Sequence, residues 1–137
     1  TLAVFRSDVR DEIVSGPQLQ PGRNTFVNAG RTRRDGVELA VQGALGGGFS
    51  ALAAWTWLDA AFRDLVTPGG ANLDGNRLPG VPRQVLHGEV EWRHASRGIV
   101  SVLEARHVGA VYADDANTAQ ADAYTVVNWR AGVERRY

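Results

Sequence analysis

The 137-residue sequence contains no cysteine and no methionine. Without cysteine, the chain cannot hold a thiolate metal site, a catalytic thiol or a disulfide framework. An excess of one charge is also lacking, because 15 Lys and Arg residues balance 15 Asp and Glu residues. That balance argues against nucleic acid as a partner, since nucleic-acid-binding proteins normally carry a basic excess.

Neither a signal peptide nor a transmembrane helix is visible in the sequence. No basic stretch followed by an apolar core opens the chain, so no signal peptide is visible. The mean hydropathy of -0.23 argues against a bundle of transmembrane helices. Residues 39–58 are uncharged and long enough for one such helix, but Gly46, Gly47 and Gly48 interrupt them. Each glycine costs about 1 kcal/mol in a helix, so this stretch is predicted to be extended.

What the sequence does have is alternation with a period of two, which places successive side chains on opposite faces of a strand. In the clearest case, residues 86–93, uncharged residues alternate with His87, Glu89, Glu91 and Arg93. Similar alternation runs through residues 37–45, 51–58, 99–111 and 127–134, and less regularly through residues 2–14. The pattern predicts an all-β fold, an antiparallel up-and-down meander of about six strands.

The connections between the predicted strands are alternately long and short. Residues 46–48 and 95–98 are short links that contain glycine, whereas residues 15–24, 63–84 and 113–122 are long. Antiparallel strands return to the same side at every second connection, so all the long loops should lie at one end. This asymmetry is typical of a transmembrane β-barrel of the outer membrane, which has short periplasmic turns and long external loops.

Aromatic residues fall near the ends of the predicted strands, as in the interfacial belts of such barrels. Those beside the long loops are Trp55, Trp57, Phe62, Tyr112 and Tyr124, and Trp92 lies beside a short turn. The alternative is that they anchor the core of a soluble sheet, since alternation alone suits any antiparallel sheet with one wet face.

The cost of placing charge in lipid, about 2–4 kcal/mol at the bilayer midplane, assigns the two faces. The face expected to line the lumen carries Glu38, Gln42, His87, Glu89, Glu91, Arg93, Glu104, Arg106, Asn128 and Arg130. The face expected to contact lipid carries Val37, Leu39, Val41, Trp55, Trp57, Leu86, Val90, Trp92, Leu103, Val127 and Trp129. Ser101 and His107 depart from the apolar pattern near opposite ends of their strand.

Five segments, in order, resemble the barrel of TonB-dependent outer-membrane receptors. They are residues 28–39 (NAGRTRRDGVEL), 55–60 (WTWLDA), 75–83 (GNRLPGVPR), 108–118 (VGAVYADDANT) and 124–128 (YTVVN). The likeness is strongest to the receptors for ferric siderophores and related iron chelates. It implies a barrel of about 22 strands with a plugged lumen. Residues 1–137 would be part of its wall, without the plug domain and the closing strands.

The resemblance also implies a function for the whole protein, in the bacterial outer membrane. It would bind a ferric siderophore or other small chelate, and TonB, acting through the plug domain, would drive uptake. Outer-membrane lipid and lipopolysaccharide would be its other partners, and neither a cofactor nor an enzymatic activity is implied. Two alternatives stay open: another outer-membrane barrel of the porin or adhesion type, and a soluble all-β binding module.

No catalytic or metal-binding constellation is visible. A nucleophile elbow is absent, and His87, His94 and His107 do not share a metal-ligand spacing, so no metal site is predicted. The candidate ligand contacts are basic residues at the long-loop end, Arg31, Arg33, Arg63, Arg77 and Arg83.

Arg31 and Arg33 belong to a basic cluster with Arg34. Such a cluster could attract an anionic iron chelate or the phosphates of lipopolysaccharide. The alternative is a ladder of charges with neighbours such as Asp35 and Glu38. The other three arginines flank the largest loop, and binding sites concentrate on loops held by a scaffold.

Overall fold

The computed structural model describes residues 1–11, 13–15, 25–28, 30–67 and 69–134. Six strands of this part of the chain form one antiparallel sheet. They are β1 (Leu2–Arg10), β4 (Arg31–Gly46), β5 (Phe49–Asp64), β6 (Gln84–His94), β7 (Ile99–Val108) and β10 (Tyr124–Val133). Their order in the sheet, β1-β4-β5-β6-β7-β10, follows the chain. The predicted antiparallel meander is therefore confirmed.

Four short strands lie outside that sheet, in two antiparallel pairs. β2 (Ile13–Ser15) pairs with β3 (Phe26–Asn28), and β8 (Val111–Tyr112) pairs with β9 (Gln120–Ala121). In the part of the chain that the structure describes, no helix is long and apolar enough to cross a membrane.

Two predicted strands are shorter in the structure than the sequence suggested. The strand predicted over residues 2–14 breaks at Asp11, whose φ of 56° lies outside the range that an extended strand allows. The strand predicted over residues 99–111 ends at Val108, and the amide of Gly109 then donates to the carbonyl of Gln84 at 2.9 Å. Glu12, Ala29 and Pro68, with residues 16–24 of the first long connection, lie outside the described residues.

Tight turns join the strands at one end of the sheet. Residues 47–48 connect β4 to β5, and residues 95–98 connect β6 to β7. At the opposite end, residues 65–83 lead from β5 to β6 and residues 109–123 lead from β7 to β10. The predicted separation of short and long connections is confirmed for these four.

The register of the sheet divides its side chains into two faces. One row across five strands consists of Val41, Ala53, Gly88, Ala105 and Val127. The adjacent row, on the other face, consists of Gln42, Leu52, Glu89, Glu104 and Asn128. Every residue predicted to contact lipid shares the face of the first row, called here the apolar face. Every residue predicted to line the lumen shares the face of the second row, called here the polar face.

The two polar residues of the apolar face that the sequence singled out both have partners on the neighbouring strand. The indole nitrogen of Trp129 donates to the hydroxyl of Ser101 at 3.0 Å. Nδ1 of His107 lies 2.9 Å from the hydroxyl of Thr125. Each hydrogen bond offsets the cost of leaving a polar group in apolar surroundings.

The first tight turn fixes the register of β5 against β6, and it depends on a glycine. Gly48 has a φ of 83°, and its carbonyl accepts a hydrogen bond from the amide of Arg93 at 2.8 Å. A Cβ added at Gly48 would collide with the backbone oxygen of Arg93. Only glycine satisfies both the positive φ and this close approach.

We expect Gly48→Ala to destabilise the six-stranded sheet by about 1–3 kcal/mol, because it combines an unfavourable φ with a steric collision. The folded fraction should fall in an assay of heat-dependent gel mobility. Gly43→Ala is the matched control, since a Cβ at Gly43 has no heavy atom within 4 Å. Equal folded fractions for the two variants would contradict this role of Gly48.

Candidate functional site

The apolar face becomes charged toward the long-loop end of the sheet. Its last apolar row consists of Val4, Val37 and Trp57, and the next row consists of Arg6, Asp35 and Asp59. Asp35 and Asp59 lie directly opposite each other, and each carboxylate is paired with its own arginine. Nε of Arg6 donates a hydrogen bond to Oδ1 of Asp35 at 2.5 Å, and Nη2 of Arg83 lies 2.8 Å from Oδ1 of Asp59. Because each carboxylate has a cation, the two acidic residues can stand side by side.

One row further out, Nε of Arg33 lies 2.8 Å from Oδ1 of Asp8. The charge ladder that the sequence offered as an alternative is therefore present, and its rungs run between β1 and β4. Arg33 is paired with Asp8, while Asp35, the predicted neighbour, is bonded to Arg6. Arg34 lies on the opposite side of β4 and donates to the hydroxyl of Thr32 at 3.0 Å.

The polar face becomes apolar over the same rows. The Phe5 ring lies against Gly36, where an added Cβ would collide with it. Further out, an apolar cluster is formed by Ala60, Phe62, Leu65 and Leu78, with Leu58, Leu73 and Val81 packed against it. Phe62 has an exposed fraction of 0%. The two faces thus exchange character at the same level of β4 and β5.

Residues 65–83 cover this cluster because they continue the pairing of β5 as an irregular hairpin. Isolated bridges join Ala61 to Arg77 and Val66 to Asn72. The amide of Leu78 donates to the carbonyl of Ala60 at 2.9 Å. The hairpin therefore places Leu65, Leu73 and Leu78 on the polar face of β5, at its long-loop end.

The second long connection is bonded to the first through Asn117. Its side-chain oxygen accepts a hydrogen bond from the amide of Arg77 at 2.8 Å, and its Nδ2 donates to the carbonyl of Arg77 at 2.9 Å. The same Nδ2 lies 3.2 Å from the carbonyl of Asp114. One side chain thus satisfies both backbone groups of a residue in the other loop, as a neighbouring strand would.

Further contacts join the same two segments. Nδ2 of Asn76 donates to the carbonyl of Asp115 at 3.0 Å. The amide of Gly80 donates to the carbonyl of Tyr112 at 2.8 Å, and the Arg77 guanidinium lies 5.6 Å from the centroid of the Tyr112 ring. We call residues 65–83 and 112–119 the loop pair.

Asp114 shapes the turn that carries Asn117. Its carboxylate accepts hydrogen bonds from the Thr118 hydroxyl at 2.6 Å and from the amides of Ala119 and Thr118, each at 2.9 Å. The hydroxyl of Thr118, followed by the amide of Ala119, lowers the pKa of Asp114. Its stabilising contribution is therefore present above the usual pKa of aspartate and is lost as the pH falls through the lowered value. Burial, with repulsion from Asp114, raises the pKa of Asp115.

The arginines predicted as ligand contacts are spread over the long-loop end and do not converge. Arg31 lies opposite Arg10 on one side and Asp64 on the other, and Arg63 is exposed beside the register shift of β5. Arg33, Arg77 and Arg83 are engaged by Asp8, Tyr112 and Asp59, respectively. Within the described ranges, no group of acidic and histidine residues could hold a metal ion. The ligand-contact role of these arginines stays a prediction.

The aromatic residues were predicted correctly only in part. Phe62 is buried under residues 65–83, Tyr112 lies in the loop pair, and the register places Tyr124 on the polar face, so none of the three belongs to a belt on the apolar face. Trp55, Trp57 and Trp92 do lie on the apolar face. The sequence analysis missed Phe49, whose ring centroid lies 6.1 Å from that of Trp92. Its spacing of two residues from Ala51 would have placed it there.

The model of the family described as "TonB dependent receptor-like, beta-barrel" matches residues 1–137. The chain belongs to the TonB-dependent receptors. The family match confirms the resemblance seen in the sequence. TonB-dependent receptors are outer-membrane transporters and not enzymes. The porin, the adhesion barrel and the soluble module are set aside by the same finding.

Solved receptor structures have the same fold. The siderophore receptor PiuA from Acinetobacter baumannii matches with a TM-score of 0.75 and 24% identity over 98% of this chain. The ferric yersiniabactin uptake receptor FyuA from Yersinia pestis matches with a TM-score of 0.73 and 25% identity over 96% of this chain. The ferric preacinetobactin receptor BauA from A. baumannii matches with a TM-score of 0.73 and 22% identity over 95%. This chain spans 19% of the length of each.

We expect Phe62→Ala, made in the whole receptor, to destabilise the hairpin of residues 65–83 by about 3–5 kcal/mol, because it empties the centre of the apolar cluster. Amide hydrogen exchange across this hairpin should accelerate while exchange in β6 and β7 stays slow. Val66→Ala is the control in the same hairpin, since Val66 is 61% exposed. If the two variants exchange alike, the cluster does not hold the hairpin.

Proposed function

We propose that the protein to which this chain belongs takes up a ferric siderophore, or a similar small iron chelate, across the bacterial outer membrane with energy from TonB. The match of the family model to the whole chain carries this proposal. The similarity to solved receptors whose names refer to siderophores or ferric chelates supports the choice of substrate. In such a receptor this chain supplies part of the barrel wall and two outward loops.

The proposed orientation sets the apolar face toward lipid. Large apolar side chains on that face are exposed, among them Val41 at 62% and Trp129 at 72%. The apolar rows extend from Phe49 to Trp57, about 26 Å along a strand at ~3.3 Å per residue. With a strand tilt of about 40°, this corresponds to roughly 20 Å of height, close to the ~25 Å apolar band of outer-membrane barrels.

The polar face would then line the lumen, where water solvates its charges. Nη2 of Arg130 lies 3.2 Å from Glu89, and its Nη1 lies 3.5 Å from Glu104. Nδ1 of His87 lies 3.7 Å from the same Glu104. The contacts of Arg130 run across β6, β7 and β10, so one cation lies close to two carboxylates on neighbouring strands.

Lipopolysaccharide is the proposed partner of the charged rows beyond Trp57. Arg10 and Arg31 lie directly opposite each other, and neither forms an ion pair with a described residue. Opposed like charges destabilise a sheet, and a phosphate between them would relieve the repulsion. TonB is proposed as a partner from family membership alone, through the plug domain of the whole receptor.

Transport by the whole receptor tests the proposed function. Cells that carry it as their sole siderophore receptor would be given radioactive iron as a ferric catecholate or a ferric hydroxamate complex. At least one complex should accumulate, and accumulation should stop when TonB is deleted. Accumulation of neither complex, or accumulation that persists without TonB, would contradict the proposal.

The orientation of the two faces predicts different effects at neighbouring positions. In the whole receptor, Val90→Arg should sharply reduce the folded barrel recovered from the outer membrane, because a charge near the bilayer midplane costs about 2–4 kcal/mol. Glu91→Arg should be much milder, since Glu91 lies on the polar face and loses only a partly exposed ion pair with Arg93. Equal losses for the two variants would show that the faces are assigned wrongly.

A further inference from the structure

We propose that Asn117 is a positioning residue that locks the loop pair into one unit, and that ligand binding by the receptor depends on this lock without any contact between Asn117 and the ligand. The part that concerns ligand rests on the proposed function. The lock itself rests on the geometry around Asn117.

The backbone of Asn117 is suited to this role. Its φ of 57° lies in the left-handed region, which asparagine tolerates better than most residues. In this conformation the side chain is directed across to residue 77 and makes three of the hydrogen bonds that an amide group can form. The turn that presents it is fixed by the carboxylate of Asp114, which binds Thr118 and Ala119.

Asn117 joins the second loop to a rigid part of the wall. Arg77, its partner, is bridged on its other side to Ala61 of β5. Ala61 is itself buried, with an exposed fraction of 5%. The side-chain amide of Asn117 therefore pairs with Arg77 as the backbone of a neighbouring strand would. Because Arg77 is also bridged to β5, a movement of residues 112–119 is coupled to β5.

The loop pair also contains one unfavourable feature, an unpaired buried nitrogen, whose energetic cost the contacts of Asn117 help to offset. Nε of Arg77 is buried and has no hydrogen-bond partner among the described residues. A buried polar group without a partner destabilises the arrangement that contains it. The contacts of Arg77 with Tyr112 and Asn117 stabilise the packing of the two segments of the loop pair against each other. Loss of the Asn117 side-chain amide should therefore allow the two segments to separate.

Two substitutions separate the amide from the backbone conformation. Asn117→Gly retains the positive φ and removes every side-chain hydrogen bond. Asn117→Asp retains an oxygen that accepts from the amide of Arg77, but cannot donate to the carbonyls of Arg77 and Asp114. Asn72→Ala is the matched control, because among the described residues the side chain of Asn72 accepts a hydrogen bond only from the nearby amide of Asp74.

The first measurement is amide hydrogen exchange of residues 74–80 in the full-length receptor. We expect Asn117→Gly to accelerate exchange about 10- to 100-fold and Asn117→Asp to do so to a smaller extent, since each hydrogen bond contributes modestly. Asn72→Ala should leave the exchange of residues 75–80 unchanged, since its side chain accepts from the amide of Asp74. Wild-type exchange rates in Asn117→Gly would overturn the lock.

The second measurement is affinity for a ferric complex. One ferric catecholate and one ferric hydroxamate are tested on the wild-type receptor, and the complex that binds is used for the variants. Asn117→Gly should weaken binding about tenfold or more, with an unchanged folded fraction in the heat-dependent mobility assay. Faster exchange with unaltered affinity would overturn the positioning role. Failure of both complexes to bind the wild-type receptor would count against the proposed function, whereas the exchange result would still decide the lock.

Discussion

The antiparallel register of the sheet is the constraint on which the rest of this structure depends. Side chains alternate between faces, so a slip of one residue would move every apolar residue of a strand to the opposite face. The tight turns prevent such a slip. Gly48 fixes β5 against β6, and Gly98 takes the equivalent position against Glu134, whose amide donates to the Gly98 carbonyl at 2.7 Å. Register, more than any single contact, makes one side of the wall apolar.

The same register produces the exchange of character at the long-loop end. Beyond Trp57 the apolar face carries ion pairs, while the other side of β5 carries the apolar cluster around Phe62. Exposed ion pairs contribute only about 0–1 kcal/mol each, so the ladder is a poor source of stability. Its position is the informative feature, because the apolar face becomes charged and the polar face becomes apolar at the same level of β4 and β5. The hairpin of residues 65–83 packs Leu65, Leu73 and Leu78 with the apolar residues at this end of the polar face of β5.

Much of this fold could be predicted from the sequence because periodicity and turn residues are local signals. The two faces and the placement of the tight turns followed from them, whereas the family followed from the resemblance of five motif segments. The break at Asp11 and the burial of Phe62 could not be predicted, since one depends on a single backbone angle and the other on a loop that folds back. The role of Asn117 was hidden for the same reason: its partner, Arg77, lies 40 residues away in the chain. Three of the five predicted arginines, Arg33, Arg77 and Arg83, are engaged with neighbours that only the tertiary structure brings close.

A spin-label scan along β4 in the whole receptor tests most directly whether the exchange of character marks the membrane surface. Single labels would replace Arg33, Asp35, Val37, Leu39 and Val41, all on one face of the strand. In lipid bilayers, labels at residues 37, 39 and 41 should be accessible to oxygen and shielded from a water-soluble nickel complex. Labels at residues 33 and 35 should show the opposite preference. A uniform preference along all five positions would contradict the account.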